Sequence, residues 1–344
     1  MSIPRICITP KVSGVGGMVS FRNKLASSLL RRGIEVSDDL SDRHCEAVLV
    51  IGGTRQLVHL WRLRQNKVRI VQRLDGMNWL HRLRPTGFRH TWRAEYGNWI
   101  LSFIRSRLAD RIVYQSEFTR NWWERVYGSV PTQAGVIYNG VDLATYTSDG
   151  PQQRPKDRWR ILLVEGSLMG GYELGLEVAV KMVSDLNRKT AATQNLPVEL
   201  MVVGRVAEKV RRRWDSQSDI PVTWAGLQPA ERIPEIDRSA HLLYSSDINA
   251  ACPNSVIEAL ACGLPVLAFD TGALPELVTG DVGRVVPYGG DPWRLDSPDV
   301  SALGEAALEI LAATPRFRQA ARARAESAFN LEGMVDSYLN CLLG

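Results

Sequence analysis

Eleven short runs rich in β-branched and other apolar residues recur along this chain, separated by longer stretches with helical spacing, and that alternation leaves few folds open. Strands that alternate with helices pair in parallel, because each helix carries the chain back across one face of the sheet. The first series lies near residues 5–9, 47–51, 68–72, 111–115 and 135–138; the second lies near 160–164, 198–203, 222–224, 241–244, 266–269 and 284–286. Between the series, residues 147–158 are polar and carry Pro151 and Pro155, the composition of a linker. A chain of 344 residues exceeds one comfortable core. The expectation is α/β: two Rossmann-like, doubly wound parallel-sheet domains facing a central cleft. Residues 1–150 form the first and 151–330 the second. Phe21, Leu25, Leu29 and Leu30 share a helical face that ends at Gly33.

Residues 252–278, CPNSVIEALACGLPVLAFDTGALPELV, concentrate the chemistry. Ser255 begins an apolar helical stretch with Glu258 three residues on, Gly263 and Pro265 stop it, and Val266 to Phe269 supply a buried strand. A helix start presents unpaired amides and a partial positive charge, so the amides near Asn254, Ser255 and Val256 suit an anion. Ser255-x-x-Glu258 is also a capping box, in which the glutamate only ties down its own helix.

Three further segments carry polar candidates. In PKVSGVGGMVSF, residues 10–21, Gly14, Gly16 and Gly17 join the first strand to the first helix and let backbone approach a ligand. In VQRLDGMNWLHRLRP, residues 71–85, a strand ends at Asp75 and Gly76, either a turn aspartate or a catalytic carboxylate; the alternative polar candidate is Arg73, facing an acidic acceptor. From 79 to 93, aromatic and basic residues interleave (Trp79, His81, Arg82, Arg84, Phe88, Arg89, Trp92, Arg93), as at a membrane interface, a phosphorylated-acceptor site, a base-stacking surface or a solvated basic face. Arg211, Arg212 and Arg213 read as an exposed helix face.

The order of these segments, with QSEFTRNWWERVYG and VIYNGVDLATY over 115–146, resembles the retaining glycosyltransferases of family 4, which have the GT-B fold. The resemblance implies transfer of a sugar from a nucleotide-diphosphate sugar to a hydroxyl-bearing acceptor, a glycan or a lipid-linked or cell-surface polysaccharide precursor, without a metal. It assigns Glu258 to the nucleotide ribose, Gly16, Gly17 and residues 254–256 to the donor, Asp75 to the donor sugar, and the Asn139–Asp142 turn to the end of the first domain, and it returns the last helix, over 331–344, to that domain. The sequence departs from the family at three places. Ala250 stands where a first glutamate is usual, with Asp247 and Asn249 nearby, and Ser167 and Tyr172 stand near the usual Arg and Lys. Arg205, after the strand VELMVVG, is the substitute cation for the diphosphate.

A formal charge of +5 suits an anionic ligand or membrane surface but is too small to imply nucleic acid, and none is expected. Five cysteines without paired spacing give neither a zinc site nor a disulfide framework, which favours a cytoplasmic protein. No apolar run reaches the roughly 18 residues that span a bilayer, so membrane contact is expected to be peripheral, through 79–93. A non-catalytic sugar- or partner-binding protein and a basic nucleic-acid-binding protein are the alternatives.

Overall fold

The computed structural model describes residues 4–14, 16–42, 44–83, 87–151, 154–168, 173–192 and 196–344. They form two compact units, Met1–Gly140 with Leu331–Gly344 and Val141–Asn330.

In the first unit the strands β1 (Arg5–Thr9), β2 (Glu35–Ser37), β3 (Ala47–Ile51), β4 (Arg69–Leu74), β5 (Arg111–Tyr114) and β6 (Gln133–Val136) make one parallel sheet in the order β2-β1-β3-β4-β5-β6. Helices α1 (Gly17–Arg31), α2 (Leu57–Gln65), α3 (Phe88–Phe103) and α4 (Glu117–Tyr127) connect them. β3 reads AVLVI and is buried at every residue, as a strand covered on both faces must be. On one face, Phe21, Leu25 and Leu29 of α1 pack over Ile6, Ile8 and Leu49. Leu30, expected on the same stripe, is 59% exposed, because a stripe repeating at i+4 turns the next residue outward. Ser116 caps α4 by accepting from the Thr119 amide at 3.1 Å, and Gly128, with φ of 75°, ends it.

The second unit has β7 (Trp159–Ser167), β8 (Val198–Arg205), β9 (Val222–Gly226), β10 (Leu242–Tyr244), β11 (Val266–Phe269) and β12 (Gly283–Val286), parallel in the order β12-β11-β10-β7-β8-β9. Its helices are α5 (Glu173–Ala192), α6 (Glu208–Gln217), α7 (Ile233–Arg238), α8 (Asn254–Ala261), α9 (Leu274–Leu277), α10 (Val300–Ala312) and α11 (Thr314–Ala328). Gly283 admits no side chain, since a Cβ there would lie 1.9 Å from the Val266 carbonyl oxygen across the ladder. Arg211, Arg212 and Arg213 ride on α6, which buries no residue.

The last helix, α12 (Leu331–Leu343), belongs to the first unit, where Leu331, Met334, Val335, Tyr338 and Leu342 enter the α1 core and the Tyr338 ring lies 5.1 Å from that of Phe21. The units divide at Gly140/Val141, ten residues before the boundary expected at 150. The polar stretch read as a linker belongs to the second unit, where Arg238 donates to the Thr147 and Pro151 carbonyls, and Arg322 holds the residues just before it through the Tyr146 and Leu143 carbonyls. Those arginines are far away in sequence, so composition alone shows only the polarity they compensate.

Candidate active site

Ligands of open parallel sheets bind beyond the carboxyl ends of the strands, where the strand order reverses. In the second unit that point lies between β7 and β10, and α8 starts from the loop that follows β10. The residue before α8 is Pro253, and no side chain caps the helix. The Ser255–Glu258 capping box is therefore not formed, and helix geometry leaves the first-turn amides of Asn254, Ser255 and Val256 without intrahelical acceptors. Val256 is fully buried, so only its backbone is available to a ligand. Glu258 sits one turn further on, where its carboxylate accepts a hydrogen bond from the Tyr146 hydroxyl. Burial and then that negative charge push the Tyr146 hydroxyl up, so it remains a donor. The same charge reaches Asp237, 1% exposed, whose carboxyl is raised well above the usual range by burial first and by Glu258 second; Arg238 and the Cys262 thiol pull it back.

The last residues of β7 include one that the sequence reading missed. Register shifts between Val164 and Ser167, and within this irregularity lies Glu165. Its carboxylate accepts a 2.7 Å hydrogen bond from the Ser246 hydroxyl in the loop after β10. Glu165 and Asp247 are both pushed up by burial, and the charge of Asp247 raises Glu165 further. Gly204 makes room for the bulge, because a Cβ there would lie 1.9 Å from the Glu165 carbonyl. The available signal was the acid in VEGS, directly before Gly166.

Ala250 carries no carboxylate, and Gly272 is packed on its backbone so closely that a Cβ would lie 2.5 Å from the Ala250 nitrogen. Of the two polar neighbours, Asp247 lies beside Glu165, while Asn249 is 4% exposed with a φ of 54°. Ser167 pairs with Arg205 in register, and Arg205 is exposed at the end of β8. Tyr172 lies outside the described residues.

In the first unit the strand order reverses between β1 and β3. Gly16 (φ 142°) precedes α1 and Gly17 opens it, again without a side-chain cap. A Cβ at Gly14 or Gly16 would meet nothing within 4 Å, so the loop leaves open room beside its backbone. Asp75 follows β4, with its Oδ1 4.0 Å from where a Gly52 Cβ would stand and its carbonyl accepting from Trp123 Nε1 at 2.8 Å. Although part of the residue still reaches solvent, burial raises its carboxyl, and the Arg73 charge lowers it less. Gly76 is required by Trp122, whose ring would lie 2.8 Å from a Cβ.

Two sequence readings change here. Arg73 does not face an acceptor: it is 2% exposed, donates to Asn139 Oδ1 at 2.7 Å and lies 3.8 Å over the Phe21 ring. The stretch 79–93 is not one surface. His81 is buried and, with Arg82, bonds Glu95, at 2.9 and 2.7 Å, whereas Phe88, Arg89, Trp92 and Arg93 are exposed on α3. Arg84 lies outside the described residues. Among the described residues, no group of three or more His, Cys, Asp or Glu is placed to hold a metal ion, and no helix is long and apolar enough to cross a membrane.

Residues 160–313 match the family described as Glycosyl transferases group 1, and residues 51–145 match Glycosyltransferase Family 4. The chain belongs to the family 4 type of glycosyltransferases with the GT-B fold. It is 26% identical over 244 residues to the D-inositol 3-phosphate glycosyltransferase of Rhodococcus erythropolis, covering 67% of this chain and 53% of that protein. The chain thus spans about half the length of the curated relatives it matches. The fold is like that of sucrose-phosphate synthase from Thermosynechococcus elongatus (TM-score 0.71, 16% identity, 98% of each chain). It is also like that of Anabaena HepE solved with UDP and glucose (TM-score 0.70, 15% identity, 98% of this chain and 99% of that one).

Proposed function

We propose that this protein transfers a sugar from a nucleotide-diphosphate sugar to a hydroxyl-bearing acceptor, with retention at the anomeric carbon and without a metal. The observation that carries the reading is the β7/β10 switch point, where the uncapped start of α8 and the Glu258 carboxylate follow one strand of a chain that matches glycosyltransferase families in both halves. Glu258 accepts hydrogen bonds from the ribose hydroxyls. The amides of Asn254 to Val256, with Arg205, stabilise the charge that develops on the departing diphosphate. The acceptor oxygen bonds to the anomeric carbon as the bond to the diphosphate oxygen breaks, and the acceptor proton passes to the leaving phosphate. In the first unit, Gly16 and Gly17 at the start of α1 are the candidate ligand-approach loop, and Asp75, whose carboxyl is raised by burial, is the candidate carboxylate for the sugar chemistry.

The acceptor is a glycan or a lipid-linked precursor, and the setting is cytoplasmic with peripheral membrane contact. No nucleic-acid partner is part of this reading. The named relatives are inositol-phosphate glycosyltransferases, and an anionic acceptor suits the cationic α3 surface. Incubation with candidate nucleotide sugars and acceptors, with nucleotide diphosphate release and product anomer followed by NMR, tests the proposal. Retained configuration and unchanged turnover in a chelator support it, whereas an inverted product overturns retention. The non-catalytic alternative draws on Ala250, and measurable donor turnover removes it.

A further inference from the structure

A buried tyrosine hydroxyl needs an acceptor. Tyr146 is 6% exposed, and its hydroxyl donates to the Glu258 carboxylate one turn into α8. Both residues belong to the second unit, and the main chain of the tyrosine is fixed there on both sides. Its amide donates to the Asp142 carbonyl at 2.8 Å. Arg322 Nη1 donates at 2.7 Å to the Tyr146 carbonyl and at 2.7 Å to that of Ala261, the last residue of α8. One guanidinium nitrogen thus ties the tyrosine to the helix that carries the acid. Just beyond, the Arg238 guanidinium packs on Gly150, where a Cβ would lie 3.0 Å from its Cζ.

A second acid makes the choice of partner matter. Asp237 of α7 is 1% exposed, and its Oδ2 has no hydrogen-bond partner among the described residues. Arg238, the neighbouring cation, donates to the Thr147 and Pro151 carbonyls. Two carboxylates in one buried neighbourhood repel, and burial together with the Glu258 charge leaves Asp237 favouring its proton. The negative charge therefore stands on the acid that Tyr146 engages.

We propose that Tyr146 is a positioning residue for the donor: its hydroxyl fixes the Glu258 carboxylate in the orientation that accepts from the ribose. The proposal rests on the ribose reading of Glu258. A carboxylate offers about four acceptor directions, so one bond from Tyr146 sets its plane without exhausting it. Without that bond the glutamate side chain has to be ordered when the nucleotide arrives, at a cost of roughly two- to twelvefold in affinity.

The full chain is titrated calorimetrically with ADP, CDP, GDP and UDP, and whichever binds is compared with the same nucleotide lacking both ribose hydroxyls. Tyr146→Phe keeps the ring and should melt within a few degrees of the unaltered chain. It should weaken the ribonucleotide by roughly two- to twelvefold and leave the form without ribose hydroxyls level. In a Glu258→Ala background, where no carboxylate remains to be oriented, it should add almost nothing. Equal losses for both ligands, full affinity in Tyr146→Phe, or additive losses in the double variant overturn the proposal while Glu258→Ala still weakens the ribonucleotide. If none of the four nucleotides binds, or Glu258→Ala leaves affinity level, the ribose reading falls and the proposal with it.

Discussion

Glu258→Gln separates the two roles available to this acid. The uncapped start of α8 removes helix capping from the comparison, leaving the Tyr146 hydroxyl as the structural partner. Gln keeps an oxygen that accepts from Tyr146, so the folded state exchanges a charge-assisted hydrogen bond of about 1.5–3 kcal/mol for a neutral one of about 0.5–1.5. Part of that roughly 1 kcal/mol returns through Asp237, which no longer feels the Glu258 charge. The melting temperature should therefore change by only a few degrees. Donor binding loses more, since two ribose hydroxyls each exchange a charged acceptor for a neutral one, about 2–3 kcal/mol together, or roughly 30- to 150-fold. Calorimetric titration with the preferred nucleoside diphosphate, paired with thermal melting, measures both. Unchanged affinity, or a stability loss as large as the binding loss, would refute the ribose assignment.

Asp75→Asn should leave stability level or slightly higher, because burial already disfavours the charged carboxyl, while turnover falls by on the order of 10²- to 10⁴-fold and donor affinity stays within a few-fold; unchanged turnover would return Asp75 to a turn residue. Arg205→Ala, at an exposed strand end, should hold stability within about 0.5 kcal/mol and weaken the nucleoside diphosphate by roughly tenfold or more, with the bare nucleoside unaffected; equal losses for both ligands would end its diphosphate role. Glu165 keeps its proton in the folded chain at pH values where the unfolded chain has lost it. The unfolded state then binds fewer protons, so stability should fall as pH rises from the ordinary carboxylate range to the raised value; melting curves of Glu165→Gln should be flatter there, and an identical slope would show that another group titrates.

The parallel α/β architecture was legible because most strands are continuously apolar and separated by helical spacing, as in β3 and β11. β2 was not: it is three residues, EVS, at the edge of its sheet, where pairing rather than apolar patterning defines it. Glu258 was legible from its helix, but not its bond to Tyr146, which depends on how the segment after the Asn139–Asp142 turn folds onto the second unit. Arg73 and Arg82 looked like ligand-binding cations because sequence shows charge without partners. Asn139 engages the first, and Glu95 the second. Glu165 was passed over because an acid ending an apolar strand usually faces water, whereas the bulge and Ser246 hold this one half-buried.

Binding of nucleotide sugars can be read from thermal melting of the whole chain. A donor at 100 times its dissociation constant stabilises the unit that binds it by about 2.7 kcal/mol, which raises the melting temperature of a domain of this size by about 5–10 °C. Such a shift, saturable and reduced in Glu258→Gln, is expected with at least one nucleotide-diphosphate sugar. Thermal curves that stay unmoved by every nucleotide-diphosphate sugar at millimolar concentration, with no donor turnover alongside them, would rule out the proposed transfer.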